Sequence, residues 1–494
     1  MLENYRKAFK AYDIRGKYGK EIDEHFSYIM GKAMGKYMNG KRWTDNGKLL
    51  IGCDVRLQNP ALIDAFVAWL KASDFSNVFY ANFDASADPR SEWRGKYPYG
   101  VCSTPVLYYL GQGDYDLGVA FTASHNPPGD VGMKFFDKDV TLLSTEMLWE
   151  MFEQEIGRLQ EDLEIPTMKN HLISNTSPNP LDNFLVDKVQ KLYAMLDKKR
   201  SGLKKRHHFA VDFSNGAAVS IEKKFFQDYI SKNHVIDMIN DLPDGNFTAH
   251  HSDTQEHENY EQLIHVVKET GAEFGLMFDG DADRIWIVGP DGKVIGGDLL
   301  TAMIAKQVLV ERIADRGTSV DTNFKDIVLY ETMSTKMITE VVTHFGGEAK
   351  MTRVGRYFIN QELKACDGIF AGESSGHFLF AEMGGYEMPL LALYYICKEM
   401  EEYSSWEEFV GAYKKYFKSP VVSLAVTDKA WALKKVQEYY AEYDIKFVDG
   451  ISVYAPDFWF NLRPSNTEDK IKFTVEANNG EIMNKVVDEL RKLL

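Results

Sequence analysis

The chain has 494 residues, of which 45% are hydrophobic and 26% are charged, a balance typical of soluble globular proteins. Because domains usually run to about 100–200 residues, this length predicts two to four domains, each with its own core. A formal charge of −16 disfavours nucleic-acid and anionic-membrane partners, and no apolar run approaches the roughly 18–20 residues that span a bilayer.

The N-terminal segment and the cysteines predict a cytoplasmic protein. The segment MLENYRKAFKAYDIRG lacks the apolar stretch of about 7–15 residues that a secretory signal needs. The cysteines are scattered, without the C-x-x-C spacing of a zinc or redox site, at Cys53, Cys102, Cys366 and Cys397. We therefore expect buried free thiols in a reducing cytosol.

From residue 48 to about 140, apolar runs typical of strands alternate with helix-like segments. The run LLIGCDV precedes a predicted helix that opens at Asn59-Pro60, and NVFYANF precedes a helix around VLYYLGQ, which LGVAF follows. Alternating strands and helices predict an α/β sheet.

The alternation recurs from HHFAVDF to RIWIVGPDGKVI, where Pro-Asp-Gly predicts a hairpin turn, and again from GDLLTAMIAKQVLVERIADR to LLALYYICKEMEEY. The last ~80 residues instead alternate short strands with two helices, AWALKKVQEYYAEY and NKVVDELRKLL. We therefore predict three related mixed α/β domains, at 1–164, 165–292 and 293–408, and a smaller α+β domain at 409–494.

Three polar loops directly follow apolar strands, which is where open α/β sheets bind ligands. The first, TASHNPP at 122–128, contains two prolines that exclude a regular helix, so Ser124 and His125 lie on a rigid turn. A serine in this position can accept a phosphoryl group, although a purely structural serine turn would have the same sequence.

The second loop, DGDADR at 279–284, has carboxylates at alternate positions: Asp279, Asp281 and Asp283. Like charges this dense are costly unless a cation relieves them, and oxygen ligands suit Mg²⁺ or Ca²⁺. An EF-hand would need glycine in place of Arg284 and glutamate in place of Pro290, so that interpretation fails. A solvated acidic turn remains the alternative.

The third loop, GESSGH at 372–377, combines flanking glycines with Glu and Ser side chains that suit sugar hydroxyls. A fourth polar segment, RPSNTE at 463–468, joins one guanidinium to short hydrogen-bonding side chains and predicts a phosphate cradle. Taken alone, either segment could be an ordinary polar turn.

The four loops, in this order, resemble the α-D-phosphohexomutase family, most closely its phosphomannomutase/phosphoglucomutase branch. Supporting matches are YDIRG at 12–16, TPVLYY at 104–109, GMK at 132–134 and PDG at 243–245. The resemblance implies an α/β fold of four-domain architecture, with three related mixed α/β domains and a smaller C-terminal α+β domain around a central cleft.

The resemblance also implies an activity, that of an isomerase (an intramolecular phosphotransferase) interconverting hexose 1-phosphate and hexose 6-phosphate of mannose, glucose or both. Ser124 would carry a phosphoryl group, and Mg²⁺ would bind Ser124, Asp279, Asp281 and Asp283. A hexose 1,6-bisphosphate would be the intermediate and an activator. We expect a phosphosugar substrate, no nucleic-acid or membrane partner, and a monomer or weak dimer.

The family likeness assigns further roles to individual residues. It implies catalytic roles for Ser124, His125, Lys134, Arg284 and His377. It implies substrate binding or support of the serine loop for Tyr12, Arg15, Glu373, Ser375, Arg463, Ser465, Asn466 and Thr467.

Departures from the family pattern leave alternatives open. Met333 stands where lysine is usual, Cys53 stands where arginine is usual, the segment 353–356 reads RVGR, the segment 384–387 reads GGYE, and Asp469 follows the fourth loop in place of proline. The alternatives are a phosphoglucosamine mutase, a non-catalytic phosphosugar-binding paralogue and a metal-dependent phosphatase.

Overall fold

The computed structural model describes residues 2–40, 47–72, 77–81, 83, 96–159, 183–253, 256–316, 325–465 and 469–494. The chain forms two compact units, the first comprising Met1–Val294 and Tyr386–Leu391, the second Ile295–Gly385 and Ala392–Leu494. The predicted border at 164/165 lies outside the described residues.

The helices are as follows. In chain order they are α1 Leu2–Arg6, α2 Glu24–Gly40, α3 Asn59–Ala72, α4 Thr104–Gly111, α5 Thr145–Leu159, α6 Asn183–Arg200, α7 Ile221–Asp228, α8 Glu261–Thr270, α9 Gly297–Arg316, α10 Met337–His344, α11 Arg356–Ala365, α12 Pro389–Met400, α13 Trp406–Tyr413, α14 Lys429–Tyr439 and α15 Gly480–Leu493. Within the described ranges, none of them is both long and apolar enough to cross a membrane.

The strands are short, as is usual in α/β domains. In chain order they are β1 Ile14–Lys17, β2 Leu49–Cys53, β3 Val78–Tyr80, β4 Leu117–Phe121, β5 Asp130–Asp137, β6 His208–Asp212, β7 Val235–Ile239, β8 Phe274–Phe278, β9 Ile285–Val288, β10 Val294–Ile295, β11 Ile327–Glu331, β12 Glu348–Thr352, β13 Phe370–Gly372, β14 Phe378–Phe380, β15 Tyr386–Glu387, β16 Phe417–Lys418, β17 Val422–Ala425, β18 Asp444–Lys446, β19 Ile451–Tyr454, β20 Phe458–Pro464 and β21 Lys470–Ala477.

In three sheets, four strands follow the same order, and the first two sheets each add an edge strand, which precedes the four in the chain in the first sheet (β1) and follows them in the second (β10). The first runs β1-β5-β4-β2-β3 and the second β10-β9-β8-β6-β7, while the strands of the third that lie in the second unit run β14-β13-β11-β12. In each sheet a central strand pairs in parallel with two neighbours, and one of these continues into an antiparallel hairpin: β4–β5, β8–β9 or β13–β14. The three related α/β domains expected from the sequence are thereby confirmed.

The shared order explains where the first three polar loops lie. Each loop is the turn of the antiparallel hairpin, directly after a strand that is buried at every residue: β4, β8 or β13. Strands covered on both faces need near-continuous apolar sequence, which is why LGVAF, FGLMF and FAG precede the loops. The hairpin turns at equivalent positions of the three sheets thus carry Ser124, the three aspartates and the turn that contains Glu373 and Ser375.

The last sheet is different because its strands pair in antiparallel fashion. Its order is β16-β21-β20-β19-β18, and β17 also pairs with β21. Helices α14 and α15 begin at the caps Asp428 and Asn479, whose side chains accept from the amides of Trp431 and Ile482, and both helices contribute to its core. The fourth polar segment connects β20 to β21.

All four cysteines are free thiols. Cys53, Cys102 and Cys397 are buried, and Cys366 is half-buried instead of buried as expected.

Candidate functional site

The serine loop presents Ser124 in an unusual backbone conformation. Its φ of 52° is a left-handed value that costs a non-glycine residue about 1–3 kcal/mol, and its side chain is fully buried. The amide of Ser124 donates to Oγ1 of Thr122 at 2.8 Å, and Oγ of Ser124 donates to Oδ2 of Asp279 at 3.1 Å. The loop therefore directs the hydroxyl at the acidic loop of the second sheet.

The acidic loop lies against the serine loop because Gly280 has no side chain. A Cβ on Gly280 would lie 2.6 Å from the carbonyl oxygen of Ser124. Ala282 has a φ of 58°, so the loop turns sharply between carboxylates. Asp279, Asp281 and Asp283 are all buried, and one oxygen of each lies within 4.8 Å of the others.

These carboxylates have the chemistry of a metal site. Burial and the neighbouring Asp283 and Asp281 raise the pKa of Asp279 well above its usual range. Burial and Asp283 also act to raise the pKa of Asp281, but the charge and hydrogen bond of Lys134 outweigh them and lower it. Within the described part of the chain, Oδ1 of Asp281 is buried without a hydrogen-bond partner. Three buried carboxylates with a spare oxygen suit a hard divalent cation.

Two basic side chains offset part of this negative charge. Nζ of Lys134, on β5, donates to Oδ2 of Asp281 at 2.6 Å and to Oδ2 of Asp283 at 2.8 Å. Nε of Arg284 lies 3.7 Å from Oδ2 of Asp279. Both cations lie beside the carboxylates that Ser124 also faces, so they suit neutralisation of negative charge at this site.

Of the other predicted residues of the first unit, His125 and Arg15 contact the serine loop. Nδ1 of His125 lies 3.4 Å from Oγ of Ser124. Arg15, on β1, donates to Oδ1 of Asn126 at 3.3 Å, and Tyr12 is half-buried in the turn before β1. The first unit therefore brings Ser124, His125, Lys134, Arg284 and the three aspartates together, with Arg15 bracing the loop.

In the second unit, the third loop forms a compact hydrogen-bonded turn. Nδ1 of His377 lies 2.7 Å from Oε2 of Glu373 and 3.0 Å from Oγ of Ser375. Oε1 of Glu373 accepts from the amide of Gly355 at 3.1 Å. Glu373 and His377 are buried, so their orientation is fixed by packing and by these partners.

The fourth segment is connected to the third loop through Asp449 and the adjacent residues Val354 and Gly355. Nε of Arg463, on β20, lies 2.9 Å from Oδ2 of Asp449. The two groups form an ion pair without a hydrogen bond from Nε. The same oxygen of Asp449 accepts from the amide of Val354, the residue before Gly355, at 3.2 Å. Adjacent amides thus connect the Glu373 loop to the Arg463 strand.

Only part of the fourth segment is described. Ser465 is buried, and its amide donates to the carbonyl of Lys470 at 2.8 Å. The predicted residues Asn466 and Thr467 lie outside the described residues.

The sequence reasoning missed several residues that build these loops. Thr104 donates from Oγ1 to Oδ2 of Asp281 at 2.5 Å, and Asp449 holds Arg463. Arg56 donates to the carbonyl of Asn126 and Asp54 accepts from the hydroxyl of Thr122, so both residues stabilise the serine loop. Thr104 lies in the TPVLYY match, and Arg56 lies three residues after Cys53, which departs from the family pattern, so both had a signal in the sequence. Asp449 lies in an ordinary polar turn.

The chain is similar to known proteins in all four of its domains. The four domains of the phosphoglucomutase/phosphomannomutase family match in order: alpha/beta/alpha domain I at 6–85 and 94–158, alpha/beta/alpha domain II at 183–292, alpha/beta/alpha domain III at 297–416, and the C-terminal domain at 422–493. These domains carry, respectively, the serine, acidic, third and fourth loops.

Individual proteins are similar over almost the entire chain. A phosphomannomutase of Methanocaldococcus jannaschii is 38% identical over 99% of this chain and 97% of its own length. A phosphoglucomutase of Neisseria meningitidis is 25% identical over 100% of this chain and 98% of its own length. The crystal structure of a phosphoglucomutase/phosphomannomutase family protein from Burkholderia thailandensis has the same fold, with a TM-score of 0.77 and 21% identity over 99% of this chain and 97% of that one.

Fold and loops together define a four-domain α/β mutase. The chain belongs to the phosphoglucomutase/phosphomannomutase family of α-D-phosphohexomutases. The predicted class of enzyme, an isomerase, is confirmed. This family is generally metal-dependent, and the three buried aspartates could hold the metal.

Proposed function

We propose that this protein interconverts the 1-phosphates and 6-phosphates of mannose and glucose through a phosphorylated Ser124. One observation carries the proposal: the buried hydroxyl of Ser124 donates to Asp279 at 3.1 Å, within a cluster of three carboxylates and two cations. A phosphoryl group on that oxygen would meet preorganised charge on several sides, and such positioning is most of what phosphoryl transfer requires.

We assign the metal site to Asp279, Asp281 and Asp283, with Ser124 as a further ligand. The buried oxygens and the unpartnered Oδ1 of Asp281 support Mg²⁺ as the ion. Bound there, it would neutralise charge on the transferring phosphoryl group.

Phosphoryl transfer between Ser124 and the sugar also moves protons. The substrate's free hydroxyl attacks phosphorus and loses its proton to a base, while the bond from phosphorus to Oγ of Ser124 breaks and Oγ takes up a proton to become a hydroxyl again. Reversal with the other phosphate of the resulting hexose 1,6-bisphosphate regenerates phosphoserine and releases the isomer. An added 1,6-bisphosphate would activate the enzyme by phosphorylating Ser124. We propose that His125, Lys134, Arg284 and His377 move protons or stabilise charge in these steps.

Substrate recognition is proposed for the remaining predicted residues. The orientation of Glu373 and Ser375 around His377 supports binding of ring hydroxyls, and the charge of Arg463 beside Ser465 supports binding of the non-reacting phosphate. Asn466 and Thr467 are proposed to complete the phosphate cradle. Tyr12 and Arg15 are proposed to support the serine loop or the phosphosugar.

The test combines turnover with intact mass. With Mg²⁺ and a trace of glucose 1,6-bisphosphate, we expect the purified protein to convert mannose 1-phosphate and glucose 1-phosphate to their 6-phosphates. A fraction of the protein should be heavier by one phosphate, and Ser124→Ala should lose both the added mass and the turnover. Absence of isomerisation with mannose, glucose and glucosamine phosphates would refute a mutase function.

Other outcomes of this assay identify the alternatives. A larger kcat/KM for glucosamine phosphate than for mannose or glucose phosphate would make the protein a phosphoglucosamine mutase. Free phosphate released as fast as isomerised sugar would make it a metal-dependent phosphatase. Phosphosugar binding with neither reaction would make it a non-catalytic binding protein.

We also propose the domain borders 164/165 and 292/293, a cytoplasmic location, and a monomeric or weakly dimeric state. Because the predicted border 408/409 would divide helix α13, Trp406–Tyr413, we propose that the last border lies after this helix. The border at 292/293 is supported by the division of the compact units after Val294. The free cysteines suit a reducing compartment.

A further inference from the structure

Arg56 is a fully buried arginine whose side chain is devoted to one loop. Its Nη1 donates to the carbonyls of Pro127 at 2.6 Å and Asp130 at 2.8 Å, and its Nη2 to those of Ser124 at 2.9 Å and Asn126 at 2.7 Å. Its Nε pairs with Oδ2 of Asp54 at 3.2 Å. All five N–H groups of the guanidinium are therefore used.

The same carboxylate reaches Ser124 by a second route. Oδ2 of Asp54 accepts from Oγ1 of Thr122 at 2.6 Å, and that hydroxyl oxygen accepts from the amide of Ser124 at 2.8 Å. The carbonyl of Ser124 is thus held by Arg56 and its amide by Thr122. Two fixed peptide groups define the φ of the residue between them, here a strained 52°.

Arg56, Asp54 and Thr122 together form a brace for the serine loop. Arg56 of this brace also contacts Phe247, which packs on the acidic loop. The guanidinium carbon of Arg56 lies 5.3 Å from the ring centroid of Phe247. Phe247 is buried with a φ of 50°, rare for a bulky residue, and a Cβ on Gly280 would lie 3.5 Å from its ring. One guanidinium therefore contacts the serine loop on one side and a neighbour of the acidic loop on the other.

We propose that Arg56, with Asp54 and Thr122, is a positioning residue that holds Ser124 in its transfer-competent conformation. The inference rests on the proposed function, since it concerns the phosphoryl-carrying role of Ser124. Arg56 touches no reacting atom. Arg56 acts on the orientation of Oγ of Ser124, so its loss should lower kcat. KM should be nearly unchanged, because the residues proposed to bind the sugar and the far phosphate lie in other loops.

Arg56→Lys is the first test, because lysine keeps the charge but has three donors in place of a planar fork of five. We expect kcat to fall by about 10- to 100-fold with KM changed less than about threefold, since misplacement by about 1 Å can cost 100-fold. Free phosphate released per isomerisation should rise, because a loosened loop admits water to the phosphoserine. Arg312→Lys is the control: Arg312, on α9, pairs with Asp326 in the second unit, and this variant should behave as wild type.

Three results decide this test. A fall in melting temperature with unchanged kcat per folded molecule would assign Arg56 a structural role only and overturn the proposal. A loss confined to KM would also overturn it. If the wild-type protein never carries phosphate on Ser124, the proposed function fails, and the failure is seen before any Arg56 variant is measured.

Should Arg56→Lys not fold, the pair Thr122→Ser and Thr122→Val replaces it. Serine keeps the hydroxyl that bridges Asp54 and the amide of Ser124, whereas valine keeps the shape without it. We expect near-wild-type kcat for Thr122→Ser and a kcat at least about tenfold lower for Thr122→Val, with similar KM. Equal kcat in the two variants would refute the brace.

Discussion

Glu222, on α7, shows how a single buried group couples stability to pH. Oε1 of Glu222 accepts from Oγ of Ser103, the N-cap of α4, at 2.5 Å. Within the described residues, its Oε2 is buried without a partner. Burial raises the pKa of Glu222 from 4.5 to about 7, although the bond from Ser103 acts to lower it.

The sign of the pH effect follows from that shift. The stability associated with protonated Glu222 is fully present below pH 4.5 and is lost as the pH rises through about 7, a total of about 3 kcal/mol. We expect the melting temperature of Glu222→Gln, relative to wild type, to increase from pH 5 to pH 8. A difference that stays constant over this range would show that Glu222 keeps an ordinary pKa.

Gly280 is the residue that allows the serine and acidic loops to approach. Because a Cβ there would lie 2.6 Å from the backbone oxygen of Ser124, Gly280→Ala should separate the loops and lower kcat by about 100-fold or more. Gly157→Ala is the control: nothing lies within 4 Å of its Cβ position, on the exposed face of α5, and the change should stabilise by about 0.5–1 kcal/mol. Steady-state kinetics and thermal melting of both variants provide the measurement, and unchanged kcat in Gly280→Ala would contradict the close approach.

At the scale of elements, the segment 353–356 connects two loops of the second unit. Val354 and Gly355 donate their amides to Asp449 and Glu373, and Asp449 pairs with Arg463. This segment is also where the sequence departs from the family pattern, reading RVGR. The departure keeps the backbone amides, which are the groups that make the connection.

Asp449→Asn tests this connection. The amide can still accept from Val354 but no longer attracts the guanidinium of Arg463, so Arg463 becomes less well oriented for phosphate. We expect KM for the sugar phosphate to rise about 3- to 10-fold with kcat nearly unchanged. Asp444→Asn, at an exposed position of the same sheet, is the control. A decrease in KM would show instead that Asp449 competes with the substrate phosphate for Arg463.

There are physical reasons why helix α2 and strand β5 were not predicted from the sequence. Helix α2, EHFSYIMGKAMGKYMNG, contains glycines that disfavour a helix, yet a Cβ on Gly31 would lie 2.0 Å from the carbonyl oxygen of Phe66 on α3. The glycines are therefore needed for close helix packing, a tertiary requirement that outweighs propensity. Strand β5 was equally hidden, because Gly132 interrupts its apolar pattern, and a Cβ there would lie 2.4 Å from the carbonyl oxygen of Ile14 on β1.

At the scale of the whole molecule, the net charge is negative and the four loops are divided between the two compact units. The chain carries a formal charge of −16, so an anionic substrate depends on local cations such as Lys134 and Arg463. The serine and acidic loops belong to the first compact unit, and the Glu373 and Arg463 loops to the second.

This distribution predicts a local response to metal. Because the proposed ligands all belong to the first unit, Mg²⁺ should slow hydrogen exchange at 117–137 and 274–288, the hairpins that carry them. At ten times its Kd, and where exchange requires opening of the site, the slowing should be about tenfold. The control is Asp281→Asn, which should respond weakly. Equal slowing in peptides of the second unit without substrate would contradict a metal site confined to the first.

Local sequence was enough to predict the candidate site residues and the central strands. Short apolar runs such as LGVAF and FGLMF, bounded by turn residues, are typical of strands buried on both faces. Closely spaced carboxylates, or a serine followed by prolines, are likewise features of the local sequence. The tertiary structure decided which groups meet: Ser124 and Asp279 are 155 positions apart, and Arg56 reaches its carbonyls across about 70. Such contacts depend on strand order and on the space that glycines leave open, and neither is written in any local stretch of the chain.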